Sequence, residues 1–235
     1  MTAADQGEVA GDRVPERFPG FHVLDQAPAW DETTRAVVLD RIGRPPDIRF
    51  FDAAEEGAAT ALFDRLLDQH PGDRLVPVTA MVDARLAEKE TDGWHYDSMP
   101  DDGVAWRTSL AALDAEAHAR HGRAFAACQE DDQVALLASI KDGDGDWRGF
   151  HRERLWSLWT RYACTAFYSH PAAWDEIGFA GPAYPRGYKN LGVDRREPFE
   201  VADARPGDLP QAGSGTKAEP APHAEPGTTL RAGGS

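Results

Sequence analysis

Two cysteines, Cys128 and Cys164, in 235 residues are too few for a disulfide framework, a cysteine-rich zinc site, an iron–sulfur cluster or a CxxCH haem attachment. Any redox chemistry is therefore borrowed from elsewhere. Positive charge is also scarce: 25 lysines and arginines stand against 40 aspartates and glutamates, a formal charge of −15. That balance argues against a protein that tracks nucleic-acid phosphates or an anionic membrane. No apolar run approaches the roughly 20 residues that cross a bilayer. The N-terminus, MTAADQGEVAGDRVPERF, has neither a basic nor an apolar leader region, so the expected location is the cytoplasm. Phosphate loops of the GxGxxG or GxxxxGK[ST] type are missing, and Ser109, Ser139 and Ser157 sit outside any GxSxG elbow. Neither a nucleotide site nor a catalytic residue is expected in this chain.

What is present is an ordinary globular composition, 41% hydrophobic and 28% charged, which fits one moderate domain. Residues 1–17 and 202–235 are rich in small, polar and Pro/Gly residues and are expected to be disordered, because they bury too little apolar surface to offset their ordering entropy. Residues 18–51 read as an extended arm with apolar anchors (Phe18, Phe21, Val23, Leu24, Trp30) and a short helical stretch from Thr34 to Leu39, closed by Pro45 and Pro46. From Asp52 the period becomes helical. Asp52 and Glu55 have capping-box spacing, and Ala58, Ala59, Leu62, Phe63, Leu66 and Leu67 form one stripe. Pro77 and Thr79 open a second, shorter helix with Val78, Met81, Val82 and Leu86; a polar loop, TDGWHYDSMPDDG, follows. Trp106, Leu110, Leu113 and Ala117 mark a third helix. Asp131 or Asp132 is the expected cap of a fourth, with Val134, Leu137 and Ile140 inward. A fifth, about 150–167, carries a wide stripe from Leu155 to Phe167. Nothing alternates at period two, so residues 52–201 are predicted to be all-α: a single irregular helical domain with an extended N-terminal arm and an irregular aromatic C-terminal loop.

Two clusters have metal-like spacing. Asp142, Asp144, Asp146 and Glu153 occupy positions one, three, five and twelve of a calcium loop, but the sixth position, where the sharp turn wants glycine, is Trp147. A solvated acidic turn is the competing reading. His118 and His121 lie three apart with Glu116 nearby, yet neither HExxH nor a matching carboxylate set accompanies them. A free-standing metal-binding helical protein using either cluster is the alternative function.

Half of the aromatic residues fall within 147–188, and the part after the fifth helix, SHPAAWDEIGFAGPAYPRGYKNLG, is punctuated by glycine and proline. It is expected to be irregular and near the surface. Trp, Tyr and Arg in such a segment suit a protein interface, since each joins a large contact area to a polar handle. The segment folding back to cap its own helices is the other possibility.

These residues carry a resemblance. WDEIGFAGPAYPRGY at 174–188, preceded by FYSHP and, further upstream, by WSLWTRYACTAFY, resembles the signature of the gluconate 2-dehydrogenase subunit 3 family. The likeness is looser back to the helix at Asp52. It implies a small helical subunit without a cofactor of its own, encoded with and bound to a large FAD-dependent subunit of the glucose–methanol–choline oxidoreductase class. That large subunit oxidises a sugar, a sugar acid or another alcohol and passes electrons to a cytochrome or other acceptor. The accessory chain would assist its assembly, stability or export. Many such subunits carry a twin-arginine leader, which is not seen here, so export is expected only if the partner carries the signal. Trp174, Phe179, Tyr184, Pro185, Arg186 and Tyr188 are the expected partner-binding residues, with Arg186 pairing bidentately with a partner carboxylate.

Charge is unevenly spread. Residues 52–146 contain 21 acidic and eight basic side chains, and residues 148–196 four acidic and eight basic. An acidic body joined to a basic aromatic face is expected to dock on an acidic protein surface.

Overall fold

Some of the helices begin at a polar side-chain cap and some end at a left-handed residue. α1 (Glu32–Arg41) starts at Asp31, whose carboxylate accepts the Thr34 N–H at 2.9 Å. α2 (Ala53–Leu67) has the full capping box: Asp52 accepts from Ala54 and Glu55 N–H, and Glu55 accepts from Asp52 N–H. It stops at Asp68, in the left-handed region. α3 (Val78–Ala87) follows Pro77, and α4 (Asp102–His121) ends at Gly122, φ +71°. The computed structural model describes residues 17–202 except 92, 94, 95, 191, 193 and 194; all of these but Arg17 belong to one unit, 18–203. The segments 1–17 and 202–235, expected to be disordered, therefore lie outside the described residues apart from Arg17 and Ala202.

The architecture is all-α. α5 (Glu130–Lys141) and α6 (Arg152–Ser169) complete a group in which α2 packs against α3, α4, α5 and α6. Leu62, Phe63, Trp106, Leu110, Trp159 and Tyr162 form its fully buried centre. Trp106 meets Phe63 and Tyr162 at ring-centroid distances of 5.4 and 5.6 Å. Two buried polar groups in this centre are paired, whereas the buried Trp106 Nε1 has no hydrogen-bond partner among the described residues. Trp159 Nε1 donates to Ser109 Oγ at 3.1 Å, and Tyr162 Oη donates to the buried Asp102 carboxylate at 2.6 Å. Asp83, fully buried on α3, accepts the N–H groups of Arg49, Phe50 and Phe51 at 2.6 to 2.8 Å. One carboxylate thus ties the end of the arm to the helical body.

Several expectations need correction. α5 begins at Glu130, one residue after Gln129, so Asp131 and Asp132 lie inside the first turn; there they offset the helix dipole instead of capping it. Its inward stripe is Gln133, Leu136, Leu137 and Ile140, while Val134 is 51% exposed. Phe150 precedes α6 and belongs to a two-stranded hairpin, β1 (Asp146–Trp147) and β2 (Phe150–His151), paired as Asp146 to His151 and Trp147 to Phe150. Two-residue strands are too short to display an alternation. The segment after α6 is not irregular at its start: Pro171 opens a seven-residue helix, α7 (Pro171–Ile177).

Candidate partner-binding surface and its anchor

The two candidate metal clusters do not close. In the calcium-like turn the cation role is taken by protein. The Arg152 guanidinium donates to the carbonyls of Ser139 and Ile140 at 3.0 and 2.9 Å and to Gly145 at 3.1 Å. It fills the turn so closely that a Cβ on Gly143 would lie 2.8 Å from it. Trp147, at the sixth position, is buried in the hairpin against Trp159. On α4, His118 Nδ1 lies 3.0 Å from its own Asp114 carbonyl, whereas His121 faces Asp132 at 3.6 Å. Among the described residues no three His, Cys, Asp or Glu side chains gather as a metal site.

The aromatic segment divides into an inward and an outward half. Its start is set by His170, whose Nδ1 accepts the Ala172 N–H at 3.2 Å and caps α7. His170 is buried, and burial pushes its imidazole below the ordinary value, with Arg41 of α1 close by. Trp174 is only 5% exposed. It packs with Val23, Trp30 and Val38 in a small second core, and its Nε1 donates to the Tyr168 carbonyl at 2.7 Å. Trp174 is therefore a core residue, not a free anchor for a partner. The reason is α7, whose roughly two turns point it back at the arm.

Two glycines make this packing possible. Gly181, φ +73°, has Trp30 where a side chain would stand, 2.7 Å from an added Cβ; Gly178, φ +68°, has Phe18 at 2.8 Å and Val201 nearer still. Both the left-handed backbone and the close approach require glycine. Asp175 accepts the Val23 N–H at 2.7 Å. Arg186, expected to face a partner carboxylate, instead bonds within the chain: NH1 donates to Gln26 Oε1 at 2.8 Å and NH2 to the Ala180 carbonyl at 3.4 Å. Its guanidinium lies 3.5 Å above the Phe199 ring. Partial burial lowers its affinity for the proton. The arm is thus seated on the very segment expected to bind a partner. Sequence reasoning missed Asp175, Gln26 and Phe199, whose partners are remote in the chain; the close glycines of IGFAG were the signal available.

The outward half remains in water. Tyr184 is 65% and Tyr188 51% exposed, Pro185 is exposed, and Phe179 shows its outer edge while its ring packs on Trp174. The Tyr184–Pro185 peptide is cis.

Most basic residues of 148–196 do not form a charged face. Arg148 binds Glu116 at 2.7 Å, and that pairing, with Arg120, holds the Glu116 carboxyl below its ordinary range. Arg152 fills the hairpin turn, Arg154 bonds Ser98 and stacks on Tyr96, and Arg161 lies 4.0 Å from Asp102. Several of the cations in this stretch are thus engaged within the fold, Arg148 and Arg161 by carboxylates and Arg152 and Arg154 by uncharged groups, while Lys189, Arg195 and Arg196 are exposed. A separate cleft of about 860 Å³ opens beside the first turn of α4, with Phe50, Leu86 and Val104 among its walls. Its arginines are occupied, Arg49 by Glu88 and Arg107 by Glu55.

No described helix is long and apolar enough to cross a membrane. No curated protein and no solved structure gives a significant match. The profile of the family described as gluconate 2-dehydrogenase subunit 3 matches residues 53–181, more than half of the 235-residue chain. The match runs from the first residue of α2 through α7 to Gly181, leaving the arm and the outward tyrosines beyond it. On this match the chain, an all-α protein with an aromatic segment after its last long helix, belongs to the gluconate 2-dehydrogenase subunit 3 family, the accessory-subunit family of a dehydrogenase.

Proposed function

We propose that this chain is the non-catalytic small subunit of an FAD-dependent sugar or alcohol dehydrogenase, and that it binds and stabilises, or helps to mature, a large glucose–methanol–choline-type flavoprotein. The flavin, the oxidation of a sugar, sugar acid or other alcohol, and the onward transfer of electrons to a cytochrome or other acceptor belong to that large subunit. Phe179, Tyr184, Pro185 and Tyr188 dock on it; Trp174 and Arg186 hold the docking segment from behind. The observation that carries this reading is the pair Tyr184 and Tyr188, large and mostly solvent-exposed on a backbone whose other side is fixed by buried contacts. Rigid aromatic groups presented in this way lose little conformational freedom on binding and suit interface anchors.

Co-expression with the large FAD-dependent subunit tests the assignment. The expected outcome is a stoichiometric complex that carries flavin absorbance and loses soluble flavoprotein when the small subunit is omitted. Separate elution of the two chains, with the flavoprotein equally soluble and active alone, contradicts it.

A further inference from the structure

The outward tyrosines are only part of the face on which they stand. The 3-10 turn Val23–Ala29 of the arm is brought to them by Arg186, which reaches Gln26 of that turn and stacks on Phe199. Phe199 in turn lies 6.1 Å from the Tyr188 ring. Leu24, on the same turn, leaves 40% of its surface in water. Beyond Tyr188, the buried Glu197 accepts the N–H groups of Lys189 and Asn190 and folds the chain back on itself. Lys189, Arg195 and Arg196 are left exposed there, and none of them forms an ion pair among the described residues.

We infer that the docking surface is composite. Leu24 of the arm adds an apolar contact beside the tyrosines, Arg186 is the positioning residue that joins arm to loop, and Lys189, Arg195 and Arg196 form its charged edge. The inference rests on the function proposed above and specifies the occupant: a surface of the large subunit with an apolar centre and carboxylates along one side. Charge complementarity supports that choice. The helical body carries a large acidic excess and repels such a surface, while the three exposed cations attract it, so one orientation is favoured during encounter.

The test measures binding of the full chain to the large FAD-dependent subunit at low and high salt. Leu24→Asp is expected to weaken binding about tenfold with only a modest fall in thermal midpoint, because 40% of Leu24 is already in water. The triple variant Lys189→Glu, Arg195→Glu, Arg196→Glu is expected to associate more slowly and to lose most of the salt dependence of association. On an Arg186→Ala background the loss from Leu24→Asp is expected to shrink to about twofold, since the turn that carries Gln26 loses its tie to the loop, although Val23 and Trp30 still seat the arm. A merely structural Arg186 leaves the Leu24 effect at full size. Normal affinity of Leu24→Asp alongside weak binding of Tyr184→Ala overturns the composite surface and leaves docking by the aromatic segment standing. Normal affinity of both variants overturns both, and unaltered association of the triple variant overturns the acidic occupant.

Discussion

At the scale of single residues, the chain uses a buried carboxylate, Asp83, and a half-buried one, Asp175, to tie distant backbone together. Asp83 accepts three N–H groups from 49–51, and Asp175 accepts one from Val23. A buried N–H that loses its acceptor costs about 1–3 kcal/mol, and the three groups at Asp83 lose theirs together. Asp83→Ala is therefore expected to destabilise the protein by about 3 kcal/mol, part of the cost being relieved by water at the exposed Arg49 end. A lowered urea midpoint with an unchanged slope checks this. Such residues look like ordinary surface acids in a sequence. Asp83 sits at a helical position with no local partner, and nothing nearby foretells that its ligands lie more than thirty residues upstream.

Helical elements were the most legible part of the molecule, because their signals are local. The Asp52 capping box, the stripe on α2 and the series Trp106, Leu110, Leu113, Ala117 on α4 are all found in place, and all four members of that series are buried. Where the reading failed, the missing information was tertiary or the element was short. Val134 and Leu136 are both apolar residues on α5, and only the neighbouring helices decide which is inward. α7 spans seven residues, less than the window in which a helical period can be recognised. Its cap is also unusual, a histidine acting as acceptor.

That cap gives α7 a pH dependence. The imidazole of His170 is held below its ordinary value of 6.5 by burial, so the folded state favours the neutral ring. The unfolded chain takes up a proton first as pH falls. The stabilising contribution of the cap is accordingly complete above about pH 6.5 and is lost as the pH drops below it. Protonation also removes the Nδ1 lone pair that receives the Ala172 N–H. Amide exchange in α7 is expected to accelerate between pH 7.5 and 5.5 relative to exchange in α4, after correction for intrinsic rates. Equal protection at both pH values contradicts the role given to His170.

For the whole molecule, the central result is that one stretch of sequence serves two faces. Its composition announced an interface, and the family resemblance placed that interface on residues 174–188, but sequence alone did not separate the side chains that face in from those that face out. Trp174 and Arg186 have the residue types of binding hot spots and are nevertheless engaged with the arm. Tyr184 and Tyr188 have the same character and stand exposed, Tyr188 with its ring beside Phe199. Gly178 and Gly181, both in left-handed conformation and both too close to the arm for a side chain, lay the segment against the arm; beyond them Arg186 turns in to Gln26 while Tyr184 and Tyr188 on either side of it turn out. The charge pattern taught a similar lesson: a basic segment in sequence became, after folding, a set of internal ion pairs and carbonyl contacts with three exposed cations left over.

The most direct measurement compares an inward with an outward substitution in the same segment, reading both thermal stability and affinity for the large FAD-dependent subunit. Gly181→Ala forces a Cβ against Trp30 and an unfavourable backbone angle, and is expected to cost about 2 kcal/mol of stability. The double variant Tyr184→Ala, Tyr188→Ala is expected to leave the melting temperature within a degree or so, since exposed side chains contribute little, while weakening the complex by about a hundredfold. If the tyrosine variant melts early, or binds the large subunit as tightly as the parent, the outward half of the segment is not the docking face and the account fails.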